Sequence, residues 1–320
     1  MALISIAMAT YKGGKYLRRQ LDSLSAQTRL PDELVVCDDD SPDDTAAIVE
    51  AFAAEAPFAV RLIRNADRLG YNRNFEKVVG ACSGEVIFIS DQDDVWFEGK
   101  IATVVGLLDA DPHALAVVND QTIASPSGEA TQTTVLGNFR RLGYSDVQFG
   151  PGCCTALRRS LLDVLLPFPG DAVPYDHWVT VMPALLGARI LCEEPLQLYR
   201  RHGDNATASV FAREKPSAWT LVVAADRTGV RSAYRARMNG NRLMEDRLLE
   251  RRDALVALGV GDALAGAVRE LEAETRDYAA RLACLDSPRA SRPPMVLNML
   301  RNGTYKRFQG YKSAVKDLIT

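Results

Sequence analysis

Short runs dominated by apolar residues fall at 3–8, 33–37, 60–64, 85–90 and 114–119, and between them apolar residues recur every three or four positions. Runs of five or six are too short for buried helices, and their lack of polar alternation predicts strands covered on both faces. After a turn at 11–14, the spacing of Tyr16, Leu17, Leu21 and Leu24 predicts a helix. Further helices are predicted at about 43–54, 72–80 and 98–110. The second begins at Ser41 and Pro42 with acidic residues in its first turn, which suit the orphan amides and positive end of a helix. Strand, polar loop and helix thus repeat, the pattern of an α/β fold with a mixed, mostly parallel sheet.

The pattern changes after Asn119. Ser, Thr and Gly become frequent, a turn is expected at 125–128, and residues up to 148 carry no clear period. Residues 150–155 read as a tight turn entering a strand, 159–165 and 174–187 as helices, 189–192 as a strand and 196–199 as a short extended piece. From 215 to about 285 Ala, Leu, Arg and Glu dominate, which predicts two or three helices in a hairpin or small bundle. The expected division is a sheet domain over 1–210 and a helical C-terminal region over 211–320.

Composition narrows the class without naming it. The 320 residues are 47% hydrophobic and 25% charged with a formal charge of −3, ordinary for a globular protein and no reason to expect nucleic acid as a partner. From Arg289 onward, however, seven Lys or Arg face a single Asp. This basic tail, interspersed with Met295, Leu297, Leu300, Tyr305 and Phe308, has two readings: contact with an anionic membrane surface, or packing against the first domain or a second subunit. The six cysteines show no metal-ligand spacing and read as free, buried thiols of a reducing compartment. Without a leader-like or membrane-spanning run, a cytoplasmic location is expected, with peripheral contact at the inner face of the membrane on the first reading of the tail.

Two strands run into carboxylates: 33–37 into Asp38, Asp39 and Asp40, and 85–90 into Asp91, Asp93 and Asp94. Parallel sheets bind ligands beyond the carboxyl ends of their strands. A closely spaced acidic set there suits Mg²⁺ or Mn²⁺ bridging phosphates, although a solvated capping loop has the same composition. Asp39 can accept a hydrogen bond from a base or ribose. Together the two acidic strand ends point to a nucleoside diphosphate site.

Several motifs in order carry a resemblance: Ser-Ile-Ala-Met-Ala-Thr-Tyr-Lys-Gly at 5–13, Val-Val-Cys-Asp-Asp-Asp-Ser-Pro-Asp-Asp-Thr at 35–45, Asn-Ala-Asp-Arg-Leu-Gly-Tyr-Asn-Arg-Asn-Phe-Glu at 65–76, and Ile-Ser-Asp-Gln-Asp-Asp-Val-Trp at 89–96. Over about residues 3–205 the chain resembles an inverting family 2 glycosyltransferase of the GT-A fold. The resemblance implies a nucleotide-sugar donor, a divalent metal and a glycan or lipid-linked saccharide acceptor. By position in the motifs, Thr10 and Tyr11 would line the base pocket, Asp39 would contact the base, and Asp91, Asp93 and Asp94 would hold ribose and metal. Asp40 stands where the family often has Gly, which makes that loop less permissive in backbone angle.

Asp176, at a helix start after a Pro-containing loop, matches the family's general base. Without the resemblance it reads equally as an N-cap. His202 either completes the metal shell or, as a cation, contacts the diphosphate, beside Arg200 and Arg201, which would offset charge on the leaving group. Arg73 and Asn74 match a segment that packs beside the donor, where Arg73 can pair with a phosphate or a site carboxylate. Residues 150–154 are expected on the acceptor side, with Cys153 and Cys154 packed rather than nucleophilic. Trp96 and Trp178 offer either a face to a sugar ring or core bulk. Within the family, residues 90–96 and the His202 segment look most like rhamnosyltransferases of cell-surface polysaccharide assembly, which implies dTDP-β-L-rhamnose. A UDP-hexose donor is the alternative; nucleotidyl transfer and a non-catalytic sugar-binding role are weaker rivals.

Overall fold

The structure is a computed structural model that describes residues 2–125, 129–200 and 227–319. The predicted strand–helix alternation is present as β1 (Ile4–Thr10), α1 (Leu17–Ser25), β2 (Glu33–Asp38), α2 (Thr45–Ala53), β3 (Ala59–Arg64), α3 (Tyr71–Ala81) and β4 (Val86–Ser90). These four strands are parallel, with β1 between β2 and β4. The chain therefore reverses its direction of travel across the sheet beside β1, and the carboxyl ends of β1, β2 and β4 meet at that switch point.

The remaining sheet is mixed. It is built from β5 (Val95–Trp96), β6 (Ala116–Ala124), β7 (Ala130–Thr134), β8 (Thr155–Arg158) and β9 (Arg189–Tyr199), with α4 (Lys100–Ala110), α5 (Val135–Arg141), α6 (Leu162–Leu165) and α7 (Tyr175–Leu185) between them. The order is β3-β2-β1-β4-β8-β6-β9-β5, with β7 on β6. Two expectations change here. Strand β6 runs five residues beyond Asn119, because Asp120, Gln121 and Thr122 are buried by their neighbours despite their polarity. The pieces at 189–192 and 196–199 are one strand, β9, whose pairing with β6 shifts register between Cys192 and Pro195. The stretch without a clear period contains β7 and α5.

Strand alternation divides the core. Ile4, Ile6, Met8, Leu34 and Val36 face α1, α2 and α4, while Ala7, Val35, Cys37, Ile87 and Ile89 face α3 and α7. The second cluster continues into the C-terminal helices α8 (Arg227–Glu250), α9 (Arg252–Ala257) and α10 (Leu264–Asp286) through Met244, Leu248, Leu255, Leu264 and Leu271. Helices α11 (Arg292–Arg301) and α12 (Tyr311–Ile319) pack on α10 around Cys284, Val296, Met299, Tyr305 and Ala314. Along its described length the tail packs on α10, with Arg292 buried and Arg307 paired to Glu270 and Asp277, while Leu297, Leu300 and Tyr311 stay exposed. All six cysteines are free and buried. Among the described residues no helix is long and apolar enough to cross a membrane.

Candidate active site

A cavity of about 830 Å³ opens at the switch point. Thr10, Tyr11, Asp39, Asp91, Asp93 and Asp176, separated by as many as 166 positions in the sequence, all line it.

Its first wall is the end of β1 and β2. Asp38 accepts hydrogen bonds from Thr10 Oγ1 (2.8 Å), Ser41 Oγ (2.6 Å) and Ser41 N (3.0 Å), so this carboxylate ties two strand ends together. The turn so formed puts Lys12 and Asp40 in the left-handed region at φ 52° and 59°. Asp adopts that conformation at modest cost, so the position where the family often has Gly keeps its backbone form here. Asp39 accepts from Leu69 N (2.7 Å) and Asn65 Nδ2 (2.9 Å) on Oδ1 and from Gly70 N (2.9 Å) on Oδ2. It therefore also anchors the 65–70 loop, whose Arg68 lies 3.9 Å over the ring of Tyr11 and lines the cavity.

Arg73, expected at the donor, is placed elsewhere. Its guanidinium donates to Glu76 Oε2 (2.7 Å) and to the Phe168 carbonyl (3.5 Å), and it is not among the cavity-lining residues. The next residue, Asn74, lies about 100° further round α3, where it lines the cavity and donates to Cys37 O (2.9 Å). The cations that do line the cavity are Lys12, Lys15 and Arg68.

The second wall follows β4. Gln92 exchanges two hydrogen bonds of 2.9 Å with the Tyr11 backbone, which fixes the acidic loop against the first turn. Asp91 and Asp93 line the cavity, whereas Asp94 sits behind them at 2% exposure. Asp94 Oδ2 accepts from Gln197 Nε2 (2.6 Å), and Gln197 Oε1 accepts from the buried Lys100, whose ammonium also donates to Cys153 O (3.0 Å). Burial, then the neighbouring carboxylates, pushes the Asp91 carboxyl well above its ordinary range and that of Asp94 up to about 7. The side chains whose ligand atoms converge, within 4.8 Å of one another, are Asp91, Asp94 and Cys153. Asp93, expected with Asp94 at a metal, lies outside that set and lines the cavity beside Asp91. Arg200 lies over the ring of the cavity-lining Tyr16 at 5.1 Å, and its charge acts on Asp94. Arg201 and His202 lie outside the described residues.

The third wall holds Asp176, in the first turn of α7, and residues 150–153. Gly152 is required by close approach, since a Cβ there would sit 2.2 Å from Tyr175 Oη. Asp176 Oδ1 accepts from the His177 amide (2.6 Å), yet burial outweighs this bond and raises the carboxyl above its usual range. Cys153 and Cys154 are packed thiols. Trp96 and Trp178 are core residues at 2% and 1% exposure, the latter donating to Leu165 O.

Sequence reasoning missed Arg68, Gln92, Lys100, Gln148 and Gln197. Gln92 stood in plain view inside the acidic tetrapeptide. Nothing local marks Lys100 as buried, because its partner Gln197 is 97 positions away.

The profile of Glycosyl transferase family 2 matches residues 5–166, just over half the chain. An uncharacterized glycosyltransferase of Nostoc sp. is 30% identical over 215 residues, covering 63% of this chain and 66% of that protein's length. The dTDP-rhamnosyl transferase RfbG of Shigella flexneri is 26% identical over 210 residues, covering 62% of this chain and 72% of its own. Among solved structures, the mannosyltransferase PcManGT of Pyrobaculum calidifontis, in complex with GDP-Man and Mn²⁺, superposes with a TM-score of 0.51 at 21% identity, covering 99% and 87% of the two chains. With strand order, acidic strand ends and profile in agreement, the chain belongs to glycosyl transferase family 2 and has the GT-A fold.

Proposed function

We propose that the protein is a metal-dependent inverting glycosyltransferase that moves L-rhamnose from dTDP-β-L-rhamnose to a glycan or lipid-linked acceptor, with the chemistry carried by residues 1–210. The observation that carries the reading is that Asp176 opens onto the same cavity as Asp39, Asp91 and Asp93. In this assignment the Thr10–Tyr11 turn, Asp39 and Arg68 take the nucleoside end of the donor. Asp91 and Asp94 fit a divalent cation: their oxygens converge, and burial together with the neighbouring carboxylates raises both carboxyls, a cost that a bound cation would offset. When bound, Mg²⁺ or Mn²⁺ would neutralise charge on the diphosphate. The Mn²⁺ held by PcManGT supports this reading, and the similarity to RfbG supports the rhamnosyl donor.

Asp176 then takes the proton of the acceptor hydroxyl as that oxygen bonds to the anomeric carbon. The bond from this carbon to the diphosphate oxygen breaks on the opposite face, and the electron pair leaves with dTDP. No covalent enzyme intermediate is needed. A panel of nucleotide sugars tests the donor: release of dTDP from dTDP-rhamnose is expected, and preference for a UDP-hexose would replace rhamnose with that sugar. Asp176→Asn should lower turnover by about 10²–10⁴-fold while dTDP affinity, measured by calorimetry, stays unchanged. Full turnover in that variant would remove Asp176 from the mechanism.

A further inference from the structure

The two residues flanking Asp176 are pinned by different parts of the chain. On one side, Tyr175 N donates to Asn72 Oδ1 (2.9 Å), and Asn72 Nδ2 donates to Gly170 O (2.8 Å) and Val173 O (3.3 Å), so α3 holds the approach to α7. On the other side, the His177 ring receives Arg237 of α8, whose Nη1 lies 2.5 Å from Nε2 and 3.1 Å from Nδ1. The backbone amide of the same His177 is the donor to Asp176 Oδ1. Holding the ring restrains the first turn of α7, which carries both this amide and Asp176.

Arg237 is itself held. Its Nη2 donates to Glu274 of α10 (3.0 and 3.3 Å), a carboxylate at 6% exposure that also accepts from Asn241 Nδ2 (2.9 Å). Glu274 has a second arm, since Oε1 accepts from Gln148 Nε2 (3.4 Å). Gln148 lines the cavity, and its buried Oε1 has no partner among the described residues. Helix α8 also passes close to the loop before α7, where a Cβ at Gly240 would sit 3.3 Å from Val173 Cγ2.

We infer that the C-terminal helices complete the acceptor side of the site: Arg237 is a positioning residue for Asp176 and Glu274 a positioning residue for Gln148. This rests on the reading of Asp176 as the base. The paired Arg237–Glu274 charges suit a positioning role better than a bulk-packing one, because two apolar residues would fill the same space without orienting either His177 or Gln148.

The test uses the full chain with dTDP-β-L-rhamnose as donor and compares Arg237→Met, Arg237→Lys and, as a control on the exposed face of α10, Arg276→Met. Turnover by Arg237→Met should fall about 10- to 100-fold, as for a catalytic group misplaced by ~1 Å. Its dTDP affinity should stay within about twofold of wild type, Arg237→Lys should recover part of the loss, and Arg276→Met should match wild type. A crystal structure of Arg237→Met should show the Asp176 carboxylate displaced. Unchanged turnover, an unmoved Asp176, or loss of dTDP affinity in step with turnover would overturn the inference. If the wild type turns over no dTDP-rhamnose, the donor proposal fails, and the position of Asp176 in the variant crystal still decides this one. If Asp176→Asn is fully active, the reading of the base fails instead.

Discussion

At the scale of the residue, identical carboxyl groups are separated by what surrounds them. Asp39 is held by three donors from the 65–70 loop, Asp94 is buried among like charges, and Asp176 is half-buried against a single amide. For Asp176 the sign follows from burial: its carboxyl titrates above the ordinary value, so the base is lost as pH falls through that raised value. With saturating Mn²⁺ to keep the acidic loop deprotonated, the acid limb of kcat/KM should therefore lie above the ~3.9 of an unperturbed Asp. A profile of kcat/KM from acid to neutral pH checks this, and a limb at or below that value would show that the active base is not desolvated. The site residues that could be read in the sequence stand at strand ends (Thr10, Tyr11, Asp39, Asp91 and Asp93) or, for Asp176, at a helix start marked by Pro174. Gln92, Lys100 and Gln197 could not be read in this way. Their roles come from partners 81 to 103 positions away, which only the closed sheet brings together.

At the scale of the element, polarity was the least reliable guide. The parallel strands were legible because both of their faces are apolar, and the acidic loops because they interrupt that apolarity. Strand β6 was cut short because residues 119–122 are polar, yet every one is buried. Asp120 alone spends its carboxylate on two backbone amides, those of Gln121 (2.7 Å) and Leu136 (2.9 Å), and so organises the start of α5. The basic tail is likewise organised by a buried polar group. Its single acid, Asp317, is 1% exposed and accepts two hydrogen bonds from Arg281 (2.7 and 2.8 Å) and one from Tyr305 Oη (2.9 Å), which seats α12 against α10. Removing one partner of a buried, fully hydrogen-bonded pair leaves the other charge uncompensated, at a cost of about 3–5 kcal/mol. Asp317→Asn should lower the denaturation midpoint accordingly and open α11 and α12 to amide exchange. A midpoint within error of wild type would mean that Arg281 finds other partners or water.

At the scale of the whole molecule, a change of composition near residue 210 suggested two units, and the burial pattern packs the C-terminal helices onto one face of the sheet. The cluster on one face of the sheet begins at Ala7 and Val35, passes through Trp178 and Met182 of α7, and ends at Leu248, Leu255 and Leu271 of the C-terminal helices. Arg247 strengthens the joint by donating to the Val164 (3.1 Å), Leu165 (3.0 Å) and Pro167 (2.9 Å) carbonyls at the end of α6. A helical region that folded alone would have to leave these apolar faces in water, and so would the sheet, where each buried large side chain contributes about 1.5–3 kcal/mol. Cooperative unfolding of both parts is the physical consequence. Leu248, fully buried in the shared cluster, is the probe. Leu248→Ala removes its contacts and leaves a cavity, at a cost of about 2–5 kcal/mol. If the core is shared, helix content by circular dichroism and dTDP binding should be lost together in one urea transition, moved to lower denaturant by the substitution. Two separated transitions, with only the helical signal moved by Leu248→Ala, would instead show that the C-terminal helices melt away from a sheet that still binds nucleotide.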